Sequence, residues 1–195
     1  MGRPRQFDRD VVLDRAMRAF WSRGYEATSL EHLVARMGIQ RGSLYQAFGD
    51  KRALFFAAIE RYERAVTASL LASLDGPASG RAAIRRFFRL KLKLALAPGR
   101  PRGCLVTNTA AEHAARDRGT GARVSAALAK IEAAFLRAVV RAQESGEIDP
   151  ARDPRALARF LTSSAQGLSV MAKACPDRAA LTDIVEVILE VVDRR

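Results

Sequence analysis

Arg41, Ser43, Tyr45 and Gln46 fall close together in the chain. Each carries a side chain that hydrogen-bonds phosphates or base edges. Gly42 lies among them, and Lys51 follows shortly after. Placed on one exposed helix face, such a set suits recognition of double-stranded DNA. The other chemistry-bearing residues form no comparable group. Cys104 and His113 on one helix would stand about 13 Å apart, too far for a thiol–imidazole dyad. His32 lies inside the same N-terminal stretch as the arginine–glutamine set. No Gly-rich phosphate loop, histidine metal cluster or acidic pair occurs. The chain therefore reads as a non-enzyme needing no cofactor or metal.

The elements that must hold the polar set are two short helices and a turn, TSLEHLVARMGIQRGSLYQAFGDK from Thr28 to Lys51. Thr28 with Glu31 three residues on makes a capping box for the first of them. Leu30, Leu33, Val34 and Met37 step i, i+3, i+4, i+7, one apolar helix face. Gly38 tolerates the left-handed conformation that ends a helix. Ile39 and Gln40 leave only a tight turn. With Gln40 as cap, Ile39 and Leu44 form a hydrophobic staple. Leu44 and Phe48 then point inward, which leaves Arg41, Gly42, Ser43, Tyr45, Gln46 and Ala47 outward. Asp50 caps the following helix. Lys51 in its first turn opposes the helix dipole, and a phosphate would account for it.

Ahead of this unit, Leu13, Ala16, Met17 and Phe20 mark a first helix from about Asp8 to Arg23, ended by Gly24. Before it, Arg3 and Arg5 stand beside Gly and Pro in a segment that builds no core. An extended basic arm suits the minor groove. The plain alternative is a solvated terminus.

Residues 8 to 62 resemble the N-terminal domain of TetR-family transcriptional regulators. The resemblance is carried by Ala19-Phe20, Gly24-Tyr25, Thr28-Ser29-Leu30, Met37-Gly38-Ile39, Gly42-Ser43-Leu44-Tyr45, Phe48 and Lys51. It implies Arg41, Ser43 and Gln46 as base contacts, and Thr28, Tyr45 and Lys51 as phosphate contacts. Two positions depart from the commoner pattern. Gln40 replaces a frequent capping Ser, which weakens that helix start by about 1 kcal/mol. Ala47 replaces a frequent His, which removes one phosphate contact.

Composition bounds the rest. The chain has 195 residues, 49% of them hydrophobic, and a formal charge of +12. That charge favours polyanionic partners. It does not locate the DNA-binding end, because residues 1–60 carry ten basic against seven acidic side chains, whereas 61–195 carry 23 against 14. No apolar run approaches the roughly 20 residues that span a membrane, and the N-terminus does not read as a signal peptide. Cys104 and Cys175 lack metal-ligand spacing. A reduced cytoplasm fits best.

Beyond residue 50, helices alternate with breakers, giving an all-α fold. Helices are expected from Lys51 to about Leu74, Arg81 to Ala97, Cys104 to before Gly119, Gly121 to Glu144, Pro154 to Ala174, and Asp177 to Asp193. Residues 1–50 form a three-helix helix-turn-helix domain with a basic arm, and 51–195 an effector-binding and dimerisation domain. On the last two helices, Leu157, Phe160, Leu161 and Leu168, then Leu181, Ile184, Val185, Ile188, Leu189 and Val192, form wide apolar faces. A second subunit would cover them as a four-helix bundle. Two recognition helices then reach major grooves about 34 Å apart, or a multiple, on a pseudo-palindromic operator.

Helices around Pro- and Gly-containing loops leave room for a small-molecule effector. Its candidate walls are Tyr62, Phe87, Phe88, Cys104, Thr107, Asn108, Glu112, Phe135 and Met171. Asn108 and Glu112, at i and i+4, share a face and need polar partners. Gly103-Cys104-Leu105-Val106-Thr107-Asn108-Thr109-Ala110 resembles a motif in part of the TetR family, some of whose members sense electrophiles or oxidants through a cysteine here. A thiol at a helix start, flanked by Arg100 and Arg102, has its thiolate favoured; an inert buried cysteine is the plainer reading. Arg85, Arg86, Arg89 and Lys93 form a basic stripe opposite Ile84, Phe87, Phe88 and Leu92, by default a solvated face. The reading that follows is a homodimeric repressor released from its operator by an effector. The rival is a sequence-indifferent architectural DNA binder.

Overall fold

The computed structural model describes residues 7–76, 79–99 and 103–193. The basic arm with Arg3 and Arg5, and the pair Arg100 and Arg102, lie outside these residues. Among the described residues the architecture is all helical, with no strand.

The N-terminal unit contains α1 (Arg9–Arg23), α2 (Leu30–Met37) and α3 (Arg41–Phe48), and α4 (Lys51–Tyr62) packs along α1. Asp8 caps α1, its carboxylate accepting from the Asp10 and Val11 amides at 2.8 and 3.3 Å. Gly24 stops α1 at φ 85°, and Gly38 stops α2 at φ 71°. Gln40 begins α3 without a side-chain cap bond, as its departure from Ser foreshadows. Asp50 caps α4 by accepting from the Ala53 amide at 2.7 Å. Phe20, Leu33, Met37 and Leu44 are fully buried, and Phe20 meets Phe55 of α4 edge-on at 4.9 Å. This small core holds α2 and α3 at a fixed angle, which is what presents the outer face of α3.

The capping box expected at Thr28 is corrected. Ser29 is the cap of α2, its hydroxyl accepting from the His32 amide at 3.1 Å. Thr28 is fully buried, and its hydroxyl donates to the Gly24 carbonyl at 2.6 Å. That bond satisfies a carbonyl left orphaned at the end of α1.

The helix after α4 is not uniform. Residues Glu63–Thr67 form a π-helical turn before α5 (Ala68–Ala72). The rest comprises α6 (Gly80–Ala95), α7 (Leu105–Glu112), α8 (Arg118–Glu144), α9 (Pro154–Ala174) and α10 (Arg178–Asp193). Leu105-Val106-Thr107 is the first turn of α7. A Cβ on Gly80 would lie 2.6 Å from the Ala142 amide nitrogen, so only glycine lets α6 approach α8 so closely.

Phe87, Phe88 and Phe135 lie fully buried where α6 meets α8, with ring centroids 4.7 to 5.8 Å apart. They are close-packed core residues, which corrects their assignment as effector-pocket walls. Most apolar residues of α9 and α10 serve the chain's own core. Leu157, Leu161, Leu168, Leu181, Val185, Ile188, Leu189 and Val192 are buried against the chain's own α6 and α8 core. Ile184 is half-buried, and of the expected interface residues only Phe160 is exposed.

Candidate nucleic-acid interface and buried cysteine site

The α3 helix buries Leu44 and Phe48 and exposes Arg41, Gly42, Tyr45 and Gln46, with Ser43 half-buried. Nothing lies within 4 Å of where a Gly42 side chain would begin. Its glycine thus answers no packing need within the chain, and it lets another backbone approach closely. The Arg41 guanidinium stays with its neighbours: Nη2 donates to the Tyr45 hydroxyl at 3.4 Å, and Nη1 lies 3.7 Å from the Glu31 carboxylate. An exposed pair of this kind is held weakly, so a phosphate or base edge can displace it. Lys51 Nζ sits 4.3 Å from the centroid of the Tyr25 ring. That cation–π contact is a second reason for a lysine that the helix dipole disfavours. Thr28 leaves the contact set, because its hydroxyl is buried and engaged.

Behind this unit, α7 ties the two halves of the chain together. The Trp21 indole donates to the Gly103 carbonyl at 3.2 Å, and the Asn108 amide donates to the Trp21 carbonyl at 3.3 Å. Glu112 accepts from the backbone amides of Tyr25 and Glu26 at 3.1 and 2.8 Å. His113 stacks on Tyr25 at 4.4 Å. Arg52 of α4 donates to both oxygens of Asp117 at 3.0 and 3.3 Å. Asn108 and Glu112 are therefore corrected: the partners they need are backbone groups of the N-terminal unit. The Thr107 hydroxyl donates to Gln166 at 2.6 Å and takes a protein partner as well.

Cys104 caps α7 and is buried. It lines a small, partly open cavity of about 30 Å³ with Trp21, Tyr62, Val66, Lys91 and Ser169. A void of that size admits water but not a drug-sized ligand. Of the expected walls, Tyr62 and Cys104 border it, and Met171 is exposed on another face. Lys91 is the residue the sequence reading missed. It is only 9% exposed. Burial pushes its ammonium pKa down, against the opposing pull of Cys104. Burial alone pushes the Cys104 thiol up, but Lys91 and hydrogen bonds from Tyr62 and Thr107 outweigh it and hold the thiol below its ordinary range. The signal was present: Ile84, Phe87, Phe88 and Lys91 step i, i+3, i+4, i+7, a lysine in a core stripe.

Sequence comparison agrees with this arrangement. Residues 12–58 match the model for bacterial regulatory proteins of the tetR family, and residues 80–188 match a tetracyclin repressor-like C-terminal domain. The chain belongs to the TetR family of transcriptional regulators. It is 36% identical to the HTH-type transcriptional regulator YezE of Bacillus subtilis (strain 168), over 99% of this chain and 100% of that one. It is 34% identical to the HTH-type transcriptional repressor ComR of Escherichia coli (strain K12), over 88% of this chain and 82% of that one. Among solved structures it resembles a cysteine mutant of the TetR-family regulator CifR complexed with 26-bp double-strand operator DNA. The TM-score is 0.89 at 35% identity, covering 96% of this chain and 98% of that one.

This TetR-family chain is thus a DNA-binding regulator rather than an enzyme. None of its described helices is long and apolar enough to cross a membrane. One apolar surface stands out: Phe160, Val170, Met171 and Val187 are 39 to 60% exposed on α9 and α10. They line an open groove with Gly167 and Ile184. Phe160, Leu168, Ile184 and Ile188 of the expected interface line this groove, while the other expected residues pack into the chain's own core.

Proposed function

We propose that this protein is a homodimeric, cytoplasmic, one-component repressor. It reads a pseudo-palindromic operator in double-stranded DNA with α3 and leaves it when a small-molecule effector binds. The observation that carries the reading is the surface of α3, where Arg41, Gly42, Tyr45 and Gln46 are exposed over a buried Leu44–Phe48 base. Arg41, Ser43 and Gln46 contact bases; Tyr45, Lys51, and the arm residues Arg3 and Arg5 hold the DNA backbone and minor groove. Residues 1–50 read DNA, and residues 51–195 sense the effector and dimerise. The exposed Phe160, Val170, Met171 and Val187 support pairing through α9 and α10. An effector acts by population shift, binding one spacing of the two heads better than the other.

A second reading concerns the signal. The Lys91–Cys104–Tyr62 cluster favours Cys104 as a sensor of electrophiles or oxidants, because a stabilised thiolate is the reactive form. The deciding assay is fluorescence anisotropy on DNA from upstream of its own gene against scrambled DNA at one salt concentration. A preference of about 10³ or more is expected for specific readout. Equal binding would favour the architectural reading, since phosphate-driven affinity ignores sequence.

A further inference from the structure

The Glu112 carboxylate occupies a cradle that the sequence shaped for it. It receives two consecutive backbone amides, Tyr25 at 3.1 Å and Glu26 at 2.8 Å. The preceding residue is Gly24, and a Cβ there would overlap the carboxylate. Successive amides after a left-handed glycine form an anion-binding concavity. Here a side chain from the end of α7 fills it. The loop it grips has a second duty. Gly24 ends α1, its carbonyl accepts the Thr28 hydroxyl, and Ser29 then starts α2. The loop thus joins α1 to α2, and Glu112 fixes the head to α7 there.

We propose that Glu112 is a positioning residue for operator binding, locking the helix-turn-helix head to α7 at a fixed angle. It touches no DNA. It acts through the Tyr25–Glu26 loop, and it ends the eight-residue helix α7, which Cys104 immediately precedes. Trp21, held to Gly103 and Asn108, ties the end of α1 to the opposite end of that helix. Head and α7 thus move as one body, and a change at the Cys104 cavity reaches the head through α7.

The proposal rests on the two-headed reading above, and its test separates the two. The probes are a duplex selected by the wild-type protein from random-sequence DNA, and a duplex carrying only one of its half-sites. Glu112→Gln keeps the volume but presents an amide N–H to an N–H donor. Its affinity for the full site should fall about tenfold, while half-site affinity stays within about twofold. Glu112→Asp should fall in between, and exchange of the Tyr25 and Glu26 amides should accelerate in Glu112→Gln. A general loss of structure would weaken both duplexes equally, and that outcome overturns the proposal, as does unchanged full-site affinity. A wild-type protein that binds full and half sites alike overturns the two-headed reading and this proposal with it.

Discussion

Replacing Lys91 by Met should stabilise the protein while making Cys104 less reactive. The argument turns on what each partner does when left alone. An ordinary thiol is protonated at pH 7, so without Lys91 the Cys104 side chain becomes a small buried apolar group at little cost. An ordinary lysine is charged at pH 7, so Cys104→Ala leaves Lys91 to be buried as a cation or to give up its proton. Giving it up costs at most about 4–5 kcal/mol, the distance from pH 10.4 to 7. Lys91→Met should therefore gain about 1–2 kcal/mol, and Cys104→Ala should lose about 2–4 kcal/mol. For a chain of this size 1 kcal/mol moves Tm by about 2–4 °C.

The pH dependence carries a sign as well. The folded-state pKa values of Lys91 and Cys104 both lie below their usual values. Between folded and unfolded values the unfolded chain binds more protons, so stability climbs as pH rises. The climb ends at about pH 8.5 for the thiol and about 10.4 for the amine. Lys91→Met should flatten it. The assay is thermal unfolding from pH 6 to 9 at one protein concentration, with iodoacetamide labelling of Cys104 followed by peptide mass spectrometry. Exposed Cys175 serves as the in-sample reference. A destabilised Lys91→Met, or one that labels at the wild-type rate and midpoint, would refute the buried pair.

Two further expectations follow from the corrected positions. Thr28→Val should lower stability by about 1 kcal/mol, because it strands the Gly24 carbonyl. Its DNA affinity at 10 °C, where the fold is intact, should stay near wild type; a specific loss there would return Thr28 to the DNA contacts. Val187→Lys and Phe160→Asp place charges on the exposed α9–α10 face and should convert the proposed dimer to folded monomers. Sedimentation equilibrium would show this, and a dimer that survives both changes would place the interface elsewhere.

Much of this molecule is written in local pattern. The helical periods, Gly24 and Gly38 as stops, Asp50 as cap, and the polar outer face of α3 each depend on residues within a turn or two of one another. Side-chain direction on a helix follows directly from spacing, so Leu44 and Phe48 inward and Tyr45 and Gln46 outward were legible without a fold. The cap of α2 was missed by one residue because Thr28 and Ser29 are chemically equivalent candidates. Only the Gly24 carbonyl, brought back by the end of α1, separates them.

Contacts between distant residues needed the assembled chain. The leucines of α9 and α10 are apolar over a wide arc, and periodicity cannot say which part of it faces the chain's own α6 and which faces outward. Lys91 stood in an apolar stripe, but its meaning comes from Cys104 on another helix. Glu112 read as a ligand-seeking polar group, since nothing near it in sequence could reveal that two amides 86 and 87 residues away would meet its carboxylate. Local sequence sets which face of each helix is apolar; only packing decides what that face, or a polar group upon it, finally meets.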